Sequence, residues 1–149
     1  MDSARKRPPF VLSHAPRWSL RSAMNSKPRI LIVDDERDIL SLLELTFVGA
    51  GYDVRTATDG LEAVQLCAAR SFDAVLSDAR MPGMSGYELA RWLAEHRPAT
   101  HFILMTGWDT GCEDCCIAGR CHVVVKPFLP KDVVSTVEAV LACGQTPEA

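Results

Sequence analysis

The sequence lacks any apolar run approaching the roughly 18 residues that a membrane-spanning helix needs. We also expect no secretory signal, because the basic start of the chain is not followed by an apolar stretch and a small-residue cleavage site. Aromatic residues are scarce, at 7%, whereas 48% of the 149 residues are hydrophobic and 23% are charged. This composition excludes a membrane-spanning protein and predicts one cytoplasmic domain with its own core.

The small net charge of −3 conceals two segments of opposite charge. Residues 1–29 contain seven Lys or Arg and one acid, whereas residues 30–149 contain nine basic and eighteen acidic residues. We expect residues 1–27 to form a basic, proline-containing and mostly disordered arm. Two alternatives remain open: a start codon assigned too early, with Met24 as the true start, or a targeting or anion-binding role for the arm.

Short apolar runs alternate with segments of helical periodicity from residue 29 onward. Such runs are typical of buried parallel strands, and the four clearest are residues 30–33, 74–76, 102–105 and 123–125. A fifth run, residues 52–56, alternates apolar and polar side chains, which predicts an edge strand.

Helix signals separate the predicted strands. The predicted helices cover residues 36–49, about 60–70, 85–96, a short segment at 110–119, and about 130–142. Capping-box spacing marks three of their starts, at Asp59 and Glu62, Ser85 and Glu88, and Thr110 and Glu113. The side chains predicted to share the buried face of the first helix are Ile39, Leu42, Leu43, Thr46 and Phe47. Five strands alternating with five helices predict a three-layer α/β/α sandwich around a five-stranded parallel sheet.

Polar side chains follow the apolar runs where each strand ends. Asp34 and Asp35 follow the first, Asp78 the second, Thr106 the third and Lys126 the fourth. Because sites in open parallel sheets form outside the carboxyl ends of the strands, we expect these side chains to meet at one edge.

Three neighbouring carboxylates repel one another unless a cation lies between them. An all-oxygen site of high charge suits Mg²⁺, with Mn²⁺ as an alternative. A lysine ammonium and a threonine hydroxyl are suited to the oxygens of a phosphoryl group. The pattern therefore predicts a metal-assisted phosphoryl site.

The motifs at these strand ends resemble those of the receiver domain of two-component response regulators. They are Val33-Asp34-Asp35-Glu36, the run from Asp78 to Gly86, Met105-Thr106-Gly107 and Lys126-Pro127-Phe128. The resemblance covers about residues 28–143 and leaves residues 144–149 as a short tail. It implies a flavodoxin-like, CheY-like sheet of order 2-1-3-4-5.

The resemblance also implies roles for the acidic residues. Asp78 corresponds to the phosphoacceptor, which takes a phosphoryl group from the phosphohistidine of a sensor kinase. Asp35 corresponds to the direct Mg²⁺ ligand beside Asp78, and Asp34 to an acid that binds the metal largely through water. The main-chain carbonyl of Arg80 completes the protein's share of the metal shell.

The remaining motif residues correspond to the switch elements of that family. Thr106 matches the hydroxyl that is drawn toward the phosphoryl group, and Lys126 matches the lysine that pairs with it. Pro127 is expected to follow a cis peptide bond that aims Lys126 inward. Val123 stands where the family usually has an aromatic residue, and the stretch from Thr106 to Lys126 is slightly shorter than usual. Val123 puts the usual coupling between the threonine and an aromatic residue in question, and the shorter stretch trims the fourth helix or its leading loop, where the family often contacts its partners.

The resemblance implies a stoichiometric phosphoacceptor rather than an enzyme. The expected partners are a sensor histidine kinase or phosphotransfer protein and a downstream protein that the sequence does not identify. With only a few residues after the last predicted helix, we expect a single-domain receiver that signals by protein binding or phosphorelay. We expect no direct contact with nucleic acid or membrane, and either a monomer or a phosphorylation-dependent dimer.

Four of the six cysteines lie within ten residues: Cys112, Cys115, Cys116 and Cys121. The first three are spaced to share one face of a short helix, where cysteine can act as a small core residue. A redox-sensitive pair and a site for Zn²⁺ or another thiophilic metal are the alternatives. A receiver-like domain regulated mainly by redox or metal binding at this cluster is therefore the alternative function.

Overall fold

The computed structural model describes residues 27–107 and 121–143 of the chain. The predicted arm up to residue 26, the predicted helix at 110–119 and the tail at 144–149 lie outside the described residues. The side chains of Cys112, Cys115, Cys116 and Cys121 lie outside them too, although the backbone of Cys121 is described.

The described chain alternates strands and helices. The strands are β1 (Arg29–Val33), β2 (Asp53–Ala57), β3 (Ala74–Asp78), β4 (His101–Thr106) and β5 (Cys121–Val125). The helices are α1 (Arg37–Gly49), α2 (Gly60–Ala69), α3 (Gly86–His96) and α4 (Pro130–Cys143). Among these described helices, none is long and apolar enough to span a bilayer.

All five strands pair in parallel in the order β2-β1-β3-β4-β5. This confirms the predicted 2-1-3-4-5 sheet and places the weakly apolar strand β2 at an edge. β1 lies between β2 and β3, so Ile30 is aligned with Val54 on one side and Ala74 on the other. The inner strands are buried on both faces, which explains their continuous apolar runs.

Successive residues of β1 supply two separate cores, because side chains alternate across a strand. Ile30 and Ile32 pack with residues of α1 and α4. Leu31 and Val33 pack with residues of α2 and α3 on the other face. The result is the predicted three-layer α/β/α sandwich.

The buried face of α1 differs from the predicted one. Leu40, Leu43 and Phe47 are buried, whereas Leu42 is 48% exposed. Leu42 is two residues from Leu40, and a rotation of about 100° per residue places the two on opposite sides of the helix. The prediction was therefore wrong for Leu42 and omitted Leu40.

The capping signals form local hydrogen bonds of two kinds. Ser85 and Glu88 make a complete capping box at the start of α3. At α2, Asp59 Oδ1 accepts a bond from the Glu62 amide at 2.8 Å, but the Glu62 carboxylate accepts from the Thr58 amide instead of closing the box. Both helices start where the spacing predicted.

Candidate functional site

The carboxyl edge of the sheet brings together the polar residues that follow the strands. Asp78, the last residue of β3, is aligned with Met105 of β4, and the next residue, Thr106, is aligned with Val125 of β5. Backbone bonds extend this alignment past the strand ends: the Lys126 amide donates to Thr106 at 2.8 Å. The edge thus holds residues from β3, β4 and β5 close together.

Three carboxylates cluster at the centre of this edge. Asp34, Asp35 and Asp78 each offer one oxygen, and these oxygens lie within 4.8 Å of one another. Asp34 is buried, Asp78 is partly buried and Asp35 is exposed. A cluster that opens to solvent on one side and is anchored by a buried acid on the other is suited to a partly hydrated cation.

Asp34 provides the observation that tests whether a cation fits. Its Oδ1 accepts a bond from the Glu36 amide at 2.9 Å, but its buried Oδ2 has no hydrogen-bond partner among the described residues. Lys126 Nζ lies 3.5 Å from Oδ2, at ion-pair distance. An unpartnered buried carboxylate oxygen beside two other carboxylates fits a hard divalent cation.

The pKa of Asp34 also indicates that its negative charge is not fully compensated. Burial raises its pKa to about 6, and the charges of Asp78 and Asp35 also raise it. The Glu36 amide and Lys126 oppose this rise without cancelling it. A cation bound at this cluster would favour the ionised carboxylate and so lower the pKa of Asp34.

Lys126 joins the cluster to the last strand. Its Nζ donates to Asp78 Oδ1 at 3.1 Å and forms the longer ion pair with Asp34. Burial lowers the pKa of Lys126, but the hydrogen bond to Asp78 and the surrounding carboxylates outweigh burial, so the pKa lies above its ordinary value. The ammonium is therefore charged at neutral pH.

Hydrogen bonds from both sequence neighbours fix the position of Asp78. The Ala79 amide donates to Asp78 Oδ1 at 3.0 Å, and the Ser77 hydroxyl donates to the Asp78 main-chain carbonyl at 2.9 Å. Gly86, the first residue of α3, lies so close that a Cβ there would overlap this carbonyl oxygen and come within 3.0 Å of the Ala79 Cα. The Gly86 amide also donates to the Ala79 carbonyl at 3.0 Å.

The sequence patterns predict no role for Ser77 or Gly86. The position of Gly86, directly after the capping residue of α3, was the only sequence signal that could have pointed to its contact with Asp78. A close backbone approach between a helix start and a strand end depends on tertiary packing, which local spacing does not reveal.

The other expected residues lie around the same edge. Thr106 is buried at the end of β4, and Arg80 is exposed in the loop after β3. The Lys126–Pro127 peptide bond is cis. Val123, at the position where an aromatic was expected, packs against the core formed with α2 and α3.

Cys67 is the one cysteine whose side chain the structure describes. Cys67 is free and buried on α2, where burial raises its pKa to about 11. The redox, metal and core-packing interpretations of the cysteine cluster remain predictions, because those side chains lie outside the described residues.

Comparison with known proteins identifies the family. The model of the response regulator receiver domain matches residues 30–138. The chain therefore belongs to this family of two-component signalling proteins, whose members are not classical enzymes.

Relatives in sequence agree with this assignment. The chain is 33% identical over 124 residues to the alkaline phosphatase synthesis transcriptional regulatory protein PhoP of Bacillus subtilis, covering 79% of this chain and 49% of PhoP. It is 35% identical over 119 residues to the transcriptional regulatory protein SrrA of Staphylococcus aureus, covering 78% of this chain and 49% of SrrA. The chain thus spans about half the length of these curated relatives.

Solved structures share the fold. The chemotaxis response regulator CheY4 of Vibrio cholerae superimposes with a TM-score of 0.72 at 29% identity, covering 77% of this chain and 99% of CheY4. The response regulator TrrA of Thermotoga maritima, solved in complex with Mg²⁺-BeF, gives a TM-score of 0.69 at 32% identity, covering 76% of this chain and 98% of TrrA.

Proposed function

We propose that this receiver domain, which we take as residues 28–143, carries a phosphoryl group on Asp78. One observation supports this assignment above the others. Asp78 is the acid that lies both within hydrogen-bond distance of a charged lysine, at 3.1 Å from Lys126 Nζ, and within the carboxylate cluster. The position of Asp78 therefore brings together three things. Its own carboxylate is the nucleophile, Lys126 is a counter-charge for phosphoryl oxygens, and the neighbouring acids leave a place for a cation.

The proposed donor is the phosphohistidine of a sensor kinase or phosphotransfer protein. A carboxylate oxygen of Asp78 attacks phosphorus, the phosphorus–nitrogen bond breaks, and its electron pair returns to the histidine ring. The product is an acyl phosphate on Asp78. Little covalent chemistry is required of the protein beyond alignment and charge stabilisation.

Lys126 and Thr106 are proposed to receive the phosphoryl group. The Lys126 ammonium can move from Asp78 Oδ1 to a phosphoryl oxygen while staying paired with Asp34, which lies 3.5 Å from Nζ. The Thr106 hydroxyl is proposed to donate to a second oxygen from the end of β4. These two groups would compensate the charge that the phosphoryl group brings to a partly buried edge.

The acidic cluster is proposed to hold Mg²⁺, with Mn²⁺ as a substitute. Asp35 and Asp78 would bind it directly, Asp34 largely through water, and the Arg80 carbonyl would complete the protein ligands. When bound, the cation supplies charge neutralisation for the phosphoryl oxygens. The buried Asp34 Oδ2, which lacks a hydrogen-bond partner, supports this proposal.

The output of such a domain is a change in affinity for another protein. Phosphorylated and unphosphorylated forms differ in charge at the carboxyl edge, and a partner that binds one form better shifts the equilibrium. Residues 30–149 carry eighteen acids and nine bases, which opposes direct binding to a nucleic-acid backbone. We therefore propose a cytoplasmic protein that signals through protein contacts or a phosphorelay.

Intact-mass spectrometry after incubation with Mg²⁺ and acetyl phosphate tests this proposal. We expect one phosphoryl adduct on the wild-type protein, none without Mg²⁺ and none on Asp78→Ala. Asp132→Ala, an exposed acid on α4, is the matched control and should be phosphorylated like the wild type. An adduct on Asp78→Ala, or no adduct on the wild type, would contradict the assignment.

A further inference from the structure

Helix α1 exposes a row of large apolar side chains. Leu42, Leu45 and Val48 are 48%, 74% and 51% exposed. Residues three apart are neighbours on a helix surface, so the three form a continuous patch, the α1 stripe. Among the described helices, α1 alone has more than one exposed large apolar side chain. Contiguous apolar patches of this kind mark interaction surfaces.

The surroundings of the α1 stripe are negatively charged. The exposed Glu44 lies on α1 one turn from Val48, at the edge of the stripe, and the last turn of α1 contains no basic residue. That turn is also the negative end of the helix dipole. Beyond it, Tyr52 has a pKa that is raised by burial and by the charges of Glu138 and Asp73. An occupant of this surface should therefore be both apolar and basic.

The chain itself enters the fold beside this end of α1. The Asp53 amide donates to the Pro28 carbonyl at 2.9 Å, and the Tyr52 amide donates to Phe47 of α1 at 3.0 Å. Residue 27, which residues 1–26 precede in the chain, therefore lies near the end of α1 that carries Val48. A segment of that length can extend several tens of ångströms, whereas the 13 residues of α1 span about 20 Å.

The composition of residues 1–26 complements this surface. The segment contains five Lys or Arg and one acid. Its apolar residues include Phe10, Val11, Leu12, Trp18 and Leu20. It therefore offers apolar side chains that can cover the α1 stripe and positive charges that can pair with the acids near it.

We propose that the N-terminal segment, residues 1–26, docks on the α1 stripe of its own chain. Its apolar side chains cover Leu42, Leu45 and Val48, and its arginines face the acids around the end of α1. The contact is independent of Asp78 chemistry, so it stands or falls separately from the proposed function.

Site-specific photo-cross-linking in the full chain tests this contact. A benzophenone amino acid replaces Leu45 in one variant and Leu61 in the control. Leu61 is 62% exposed on α2 and lies beside the acid Glu62, so it matches Leu45 in exposure and in charge surroundings. Unchanged thermal unfolding of both variants verifies that neither replacement disturbs the fold.

We expect cross-links from position 45 to peptides of residues 1–26 within one chain, at least tenfold more abundant than from position 61. Their yield should not change when the protein is diluted tenfold. Cross-links between two chains that decline on dilution would overturn the proposal in favour of self-association. Yields at position 45 no higher than at position 61 would overturn it outright.

Discussion

Asp34 is a buried acid whose negative charge is only partly compensated by its surroundings. Its carboxylate is buried, its Oδ2 has no hydrogen-bond partner among the described residues, and two other acids lie within 4.8 Å. Lys126, 3.5 Å away, offsets part of this repulsion. The proposed ion-binding role of Asp34 would therefore come at the expense of the stability of the metal-free fold.

Asp34→Asn is therefore expected to stabilise the metal-free protein at neutral pH. The amide keeps an acceptor for the Glu36 N–H but removes a buried charge, so the free energy of unfolding should rise by about 1–3 kcal/mol. Urea unfolding in EDTA measures the change. Asp38→Asn, an exposed acid in the first turn of α1, is the control and should give no gain. A loss of stability in Asp34→Asn would contradict the electrostatic account.

The same carboxyl predicts a pH dependence. The folded-state pKa of Asp34, about 6, lies above its ordinary value of 3.8, so between these values the folded protein binds more protons than the unfolded chain. The stabilisation from this group is therefore present at about pH 4 and is lost as pH rises through about 6, to a total of at most about 3 kcal/mol.

Urea unfolding of the wild type and Asp34→Asn in EDTA across this pH range isolates that contribution. The wild type should lose stability relative to the variant as pH rises from 4 to 6, and the difference should then level off. Parallel curves for the two proteins would show that Asp34 does not titrate as described.

At the level of strands and helices, parallel pairing was the feature most accessible from the sequence. Continuous apolar runs followed by Asp, Thr or Lys predicted that Asp34, Asp78 and Lys126 meet at one edge, because parallel strands end on the same side. The face of α1 was not accessible in this way. Leucines at 40, 42, 43 and 45 fit more than one helical face, and only packing against β1 and α4 selects Leu40 and Leu43.

Local sequence patterns also did not predict the close contact between the end of β3 and the start of α3. Gly86 and Asp78 are eight positions apart, and their contact depends on how α3 packs against the strand end. Neither propensity nor periodicity contains that information. The absence of a side chain at Gly86 is what allows the helix start to approach the Asp78 carbonyl.

Gly86→Ala is expected to slow phosphorylation of Asp78 by at least about tenfold, because the added Cβ must displace the Asp78 backbone or the start of α3. The rate with acetyl phosphate and saturating Mg²⁺ measures the effect. Gly49→Ala on α1, where a Cβ meets nothing within 4 Å, is the control and should keep the wild-type rate. A folded Gly86→Ala protein with an unchanged rate would contradict this positioning role.

The molecule as a whole combines a sheet buried between two helical layers with one charged edge. Both cores lie behind this edge, so the acids and Lys126 project from a rigid base formed by β1, β3, β4 and β5. Such support for a few convergent charged groups suits the proposed phosphoryl site.

Locating the phosphoryl group tests the central claim most directly. After reaction with Mg²⁺ and acetyl phosphate, borohydride reduces an acyl phosphate to an alcohol, and peptide mass spectrometry then identifies the converted residue. We expect conversion of Asp78 to homoserine, with Asp34 and Asp35 unchanged. Conversion at another acid, or no conversion of a protein that carries the phosphoryl adduct, would contradict the assignment of Asp78 as phosphoacceptor.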